Sequence, residues 1–253
     1  MIDLIDESAE DLERYGYKTE KYDRYGLICS HLSINNKKEV EETGFDKGDY
    51  YIFNCPLIFD LDNECWDYYT SKIYDKFKNM VKKSKINKND KVLIVGLGNP
   101  DIMADSLGNR VSSKVEIMAY KKENRVFKIC PNIFSNTGIN AYDIIRILIE
   151  VFDISAVFLI DSLTTSNINR FGTSIQINSA GLTPGSAMNN FGKKISKETL
   201  GVPCFSIGVP LMMIAKDLCE DSPDSLVIAP KDIDENLDTL SYIISNVINK
   251  ILK

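Results

Sequence analysis

VLIVGLGNPDIMADSLG, residues 92–108, decides the fold. Its first five residues, VLIVG, form an unbroken apolar run of strand length, the pattern of a strand covered on both faces, as in a parallel sheet. The strand runs directly into Gly96-Leu97-Gly98, where a dinucleotide-binding turn would continue to a third glycine, but that position is Asp101. A carboxylate at a helix entrance competes with pyrophosphate for the same amides, so the loop reads against dinucleotide binding and no cofactor is expected. The loop must instead account for two aspartates, Asp101 and Asp105.

Working outward, Trp66, Tyr69, Ile73, Phe77 and Met80 recur at helical spacing before the charged turn KKSKINKND (82–90). After the loop come a strand-like VFKIC (126–130), a helix from about Asn140 to Phe152 with Ile144, Ile147, Leu148 and Val151 on its apolar face, and the strand AVFLID (156–161). TSIQI (173–177), PCFSIGVP (203–210) and SLVIAP (225–230) follow as strands, and a final helix carries Ile233, Leu237, Leu240, Ile244, Val247 and Ile251. Short apolar strands alternating with helices predict an α/β fold around a mainly parallel sheet. The expected organisation is one doubly wound domain over 1–253, with 1–62 as a less regular extension packed on it. Within that extension lie a weak helix signal at Ala9–Tyr15 and a strand-like DYYIFNCPLIF at 49–59. Residues 178–200, rich in Gly, Ser and Asn, read as a long functional loop.

The chain has 253 residues, a net charge of −6 and 44% apolar residues, enough for a full core and too acidic for tight nucleic-acid binding. Six cysteines without a CxxC pair, and an acidic start MIDLIDESAEDLE, predict reduced thiols, no signal peptide and a cytoplasmic setting. No apolar run approaches the roughly 20 residues of a membrane span. His31 is the only histidine, so multi-histidine metal sites are excluded and no metal is expected. Its spacing reads as that of a surface-loop histidine.

Ligand sites in open α/β sheets lie beyond the carboxyl ends of the strands. Asp105 follows VLIVG and Asp161 closes AVFLID, so the two can face one crevice. Carboxylates that approach closely repel, which raises one pKa and lets the pair share a proton; one member can then activate water while the other protonates a scissile amide. Spacing alone also allows both to be helix N-caps, in Asp105-Ser106-Leu107 and Asp161-Ser162-Leu163, and favours that reading. Asn99 reads equally as a loop-ordering amide or a plain turn residue.

LIVGLGNP (93–100) resembles the opening loop of the peptidyl-tRNA hydrolases, but the histidine that serves that family as base has no counterpart in 109–125. A broader resemblance is carried by GLGNPDIMADSLGNRV (96–111), CPNIFSNTGINAYDII (130–145), the segment from LIDSL through TSIQI and GLTPGS (159–190), ISKETLGVPCFSIGVP (195–210) and IAPKDIDENLDTLSYIISNVIN (228–249). Together these resemble the germination protease family of endospore-forming bacteria, from about Lys91 to the C-terminus. The resemblance implies a three-layer phosphorylase/hydrolase-like sandwich related to the hydrogenase maturation endopeptidases. It also implies a homotetramer in the spore core, and an aspartic-type endopeptidase that degrades small acid-soluble spore proteins during germination. The family's two catalytic aspartates match Asp105, in ADSLG, and Asp161, in IDSL; Gly98, Asn99 and Ser162 are the candidates for substrate binding or loop ordering. The nickel-reading site of the maturation endopeptidases is not carried over, because the histidine it needs is missing.

Three departures stand out. Pro100-Asp101 replaces Trp-Asn, EIMAY (116–120) stands where an arginine-histidine pair is expected, and NSAGL (178–182) lacks an aspartate. They motivate the alternative of a family member that has lost proteolysis and acts as a binding or regulatory protein in sporulation. MIDLIDESAED resembles the acidic segment near the mature amino terminus of proteases made as zymogens, and little sequence precedes it here.

Overall fold

A computed structural model describes residues 15–117, 124–185, 192–223 and 226–253. The expected helix at Ala9–Tyr15 lies almost wholly outside the described residues.

The strands, in chain order, are β1 (Lys18–Lys21), β2 (Ile28–Ile34), β3 (Gly48–Asn54), β4 (Val92–Gly96), β5 (Val126–Ile129), β6 (Ala156–Thr164), β7 (Ser174–Asn178), β8 (Cys204–Ile214) and β9 (Val227–Ile228). They form one sheet in the order β1-β2-β3-β7-β8-β6-β4-β5, with β9 paired to β8. The contiguous strands β8, β6, β4 and β5 are parallel, as the apolar runs predict. The other half, from β8 through β7 and β3 to β1, is antiparallel. Residues 18–54 therefore extend the sheet by three strands, joined through the pairing of β3 with β7.

The helices are α1 (Lys37–Thr43), α2 (Asn63–Lys83), α3 (Leu107–Lys114), the single turn α4 (Phe134–Thr137), α5 (Ala141–Phe152), the single turn α6 (Lys197–Leu200) and α7 (Ile233–Leu252). α2 starts where the Asp62 carboxylate accepts the Glu64 N–H, and ends on Lys82 and Lys83, which suit the negative end of the helix dipole. Its buried stripe of Tyr69, Ile73, Phe77 and Met80 packs on one face of the sheet together with α3 and α7. Phe77 meets Phe158 of β6 and Phe205 of β8 edge-on, with ring centroids 5.6 and 5.9 Å apart.

α5 covers the opposite face over Leu93, Val95, Val157 and Leu159, which completes three layers. Here the expected apolar stripe is corrected. The buried positions are Ala141 and Ile145, with Leu148 and Ile149 packed against the same cluster, whereas Ile147 and Val151 are 52% and 68% exposed. The helix is apolar around most of its circumference, so periodicity alone does not fix which side turns inward.

Two further expectations change. AVFLID does not end at Asp161: β6 runs on to Thr164, because Ser162, Leu163 and Thr164 continue pairing with β8. His31 is not in a loop but in β2, half-buried and stacked on Tyr51 of β3 at 4.2 Å, with Asp49 at 3.4 Å. Of SLVIAP, among the described residues, Val227–Ile228 pairs as strand. The six cysteines are all free thiols.

Candidate active site

The loop after β4 is shaped by close backbone approach. The Leu97 N–H donates to the Ile160 carbonyl at 2.8 Å, carrying the ladder one residue past the end of β4. Gly98 then turns in the left-handed region, at φ 98°. A Cβ there would lie 2.0 Å from the Asp105 carbonyl oxygen and 2.9 Å from its carboxylate, so only glycine fits. Gly108 opens α3 against the same strand ends, where a Cβ would come within 2.4–2.6 Å of Leu97 and Ile160 backbone atoms. The glycines of this stretch thus permit close packing around a carboxylate and do not cradle a phosphate.

Inside the turn the Asn99 N–H donates to the Asp105 carboxylate at 2.7 Å, and the Asn99 side-chain oxygen accepts the Asp101 N–H at 3.0 Å. Asn99 is buried and orders the loop through both ends of the residue. Asp101 faces solvent. Helix capping does not account for either aspartate. The N-cap of α3 is Ser106, without a side-chain cap bond, and Asp105 is engaged by Asn99. Asp161 stands inside a strand, where its carboxylate accepts the Ser162 N–H at 2.9 Å.

Asp105 and Asp161 line one cavity of about 730 Å³ on the α5 side of the sheet. Cross-strand register supplies its floor. Asp161 pairs with Gly208, and Gly208 with Gln176; two pairs along, on the same face, Ser206 meets Asn178, which meets Tyr50. Paired residues share a sheet face, so a polar row crosses from β6 to β3 beneath the cavity. Among the described residues, its charged lining groups are Asp46, Asp105 and Asp161. Ser162 also lines it, and its hydroxyl is buried without a hydrogen-bond partner among the described residues.

Burial raises the Asp105 pKa from 3.8 to about 6, against the opposing pull of the Asn99 N–H bond. The cause is removal from water, not the mutual repulsion of carboxylates that the sequence suggested. Among the described residues, no three or more His, Cys, Asp or Glu side chains are grouped to hold a metal ion.

Sequence reasoning missed Gln176, Asn178, Ser206, Tyr50 and Asp46. A signal existed in β7, where Ser174, Gln176 and Asn178 alternate with Ile175 and Ile177, a polar face on a strand that is buried throughout. The 178–200 loop forms part of the cavity wall through Gly181–Gly185 and Gly192. The Asn178 side chain accepts the Ala180 and Gly181 N–H groups, and Leu182 bridges Ile195. Residues 186–191 of that loop lie outside the described residues.

Two acids lining one cavity over an α/β sheet can support hydrolysis. The family model described as germination protease matches residues 3–225. The chain belongs to the germination protease family. The germination protease of Clostridium acetobutylicum is 27% identical over 241 residues, covering 88% of this chain and 74% of that protein. That of Bacillus subtilis (strain 168) is 29% identical over 222 residues, covering 84% of this chain and 60% of that protein. Among solved structures, the [NiFe] hydrogenase maturation protease HycI from Thermococcus kodakarensis KOD1 aligns with a TM-score of 0.38 at 18% identity, over 62% of this chain and 92% of that one.

Proposed function

We propose that the chain is an endopeptidase of spore germination in which Asp105 and Asp161 add water across a peptide bond of a small acid-soluble spore protein. The observation that carries this reading is that Asp105 and Asp161 line the same cavity, where burial raises the Asp105 pKa to about 6. Asp161 takes a proton from a water molecule as its oxygen attacks the carbonyl carbon. Asp105 gives its proton to the amide nitrogen as the C–N bond breaks, and the proton held by Asp161 then restores Asp105. Gly98 and Asn99 position Asp105, and the cavity above the polar row receives the substrate backbone. The acidic lining suits a polypeptide better than a tRNA, whose phosphates it would repel. Assembly as a homotetramer in the spore core belongs to the same reading, through the family resemblance. No helix among the described residues is long and apolar enough to cross a membrane.

The test is the pH dependence of kcat/KM on a purified spore protein. Because Asp105 must be protonated to act as the acid, the rate falls about tenfold per pH unit above a midpoint near 6. A profile flat from pH 5 to 8 would refute the assignment of Asp105 as acid.

A further inference from the structure

The acid is presented by a single 3-10 turn, Met103–Asp105. Ser106 closes it, donating to the Met103 carbonyl from its N–H at 3.1 Å and from its hydroxyl at 2.8 Å. One helical turn further on, in α3, stands Arg110. Its guanidinium reaches back to the Met103 sulfur, with Nη2 to Sδ at 3.1 Å, and sideways to α7, where Nη2 pairs with Asp234 and Nη1 with Asp238 at 3.1 Å. α7 is a firm anchor, because Leu237, Leu240 and Ile244 beside the two acids are buried in the core. Neither Arg110 nor Met103 lines the cavity.

We propose that Arg110 is a positioning residue that fastens the Met103–Asp105 turn to α7 and so sets where the Asp105 carboxyl stands in the cavity. Its consequence for the rate rests on the endopeptidase reading above; the placement of Asp105 does not. Asp105 is then held from two sides, by the Asn99 N–H at its carboxylate and by Arg110, through Met103, at the start of its turn. A thioether is a weak acceptor, but a guanidinium fixed by two carboxylates presents its remaining N–H in one direction. Stapling α3 to α7 does not account for the arrangement. Lys114 already does that, donating to the Ser241 hydroxyl at 2.7 Å and the Asp238 carbonyl at 3.3 Å, and none of its bonds goes to the turn. Asp234 and Asp238 are about two-thirds exposed, and ion pairs so open to water add little to stability. The worth of the network therefore lies in placement.

The experiment uses the full-length protein carrying Arg110→Gln, Met103→Leu, both together, or Lys114→Ala. Turnover is measured on a small acid-soluble spore protein, and the titration of Asp105 is followed by carboxyl-carbon NMR of aspartate-labelled protein, its signal assigned with Asp105→Asn. Arg110→Gln and Met103→Leu should each lower kcat about tenfold with KM unchanged, because a displaced acid loses alignment with the bond. The double variant should be no slower than Arg110→Gln alone, as for two residues acting through one contact. In the same variants the Asp105 midpoint should fall by about one pH unit, as the loosened turn lets water reach the carboxyl. Loss of a nearby cation would raise it, so the direction separates movement from charge. Lys114→Ala should leave both readings at wild-type values. An unchanged Asp105 midpoint, an equal fall of kcat in Lys114→Ala, or effects of Arg110 and Met103 that multiply would overturn the proposal. Met103→Leu keeps the bulk of an exposed side chain, so its midpoint decides even where Arg110→Gln fails to fold. Wild-type turnover in Asp105→Asn would refute the endopeptidase reading alone, because the titration of Asp105 needs no turnover.

Discussion

Replacing Gly98 by alanine tests the link between backbone shape and the acid it presents. Two costs follow from the structure. A non-glycine residue in the left-handed region costs about 1–2 kcal/mol. The added Cβ would also meet the Asp105 carbonyl oxygen at 2.0 Å, so the Asp105 segment must retreat by about 1 Å, straining the bond from the Asn99 N–H. Losing such a bond to a charged group costs a further ~1–3 kcal/mol, for a total of roughly 2–5 kcal/mol. Gly201→Ala is the control, since Gly201 has φ 78° but nothing within 4 Å of its Cβ position. It should lose only the conformational term. Urea unfolding of the two variants measures the difference, and kcat/KM reads the displacement of Asp105, where 1 Å can cost about a hundredfold. Equal destabilisation of Gly98→Ala and Gly201→Ala, with activity preserved in both, would refute the reasoning.

Asp105→Asn should make the protein more stable at pH 7. An acid whose folded pKa is raised binds more protons when folded, so the wild type loses stability as pH rises from about 4 to about 6. At ~1.4 kcal/mol per pKa unit this amounts to roughly 3 kcal/mol, and it should disappear from the unfolding free energy of the variant across that window. Phe77→Ala removes the ring that packs against Phe158 and Phe205 and should cost about 3–5 kcal/mol in urea unfolding; a loss below 1 kcal/mol would mean the sheet–helix core is not where the stability lies.

The parallel half of the sheet was legible because strands covered on both faces must be apolar throughout, as VLIVG and AVFLI are. β1 and β2 were not, since β1 is an exposed edge strand of KTEK and β2 mixes Ser30, His31 and Ser33 among its apolar residues. The side of α5 that turns inward was ambiguous for a physical reason: Ile144 and Ile147 are as apolar as Ile145 and Ile149, and only the position of the sheet distinguishes them. Asp105 and Asp161 were visible as strand-end acids. Whether they capped helices or shared a cavity depended on register, above all on β6 running three residues past Asp161. The polar floor depended on it too, because Gln176 and Ser206 acquire meaning only once β7 and β8 bring them onto the sheet face that carries Asp161.

The most direct measurement is hydrolysis of a small acid-soluble spore protein by Asp105→Asn and Asp161→Asn, each shown to be folded by circular dichroism. The account predicts that kcat falls by at least about a hundredfold in each variant and that the double variant is hardly slower than either single one, as for groups acting as a unit. Wild-type turnover in either single variant would contradict it.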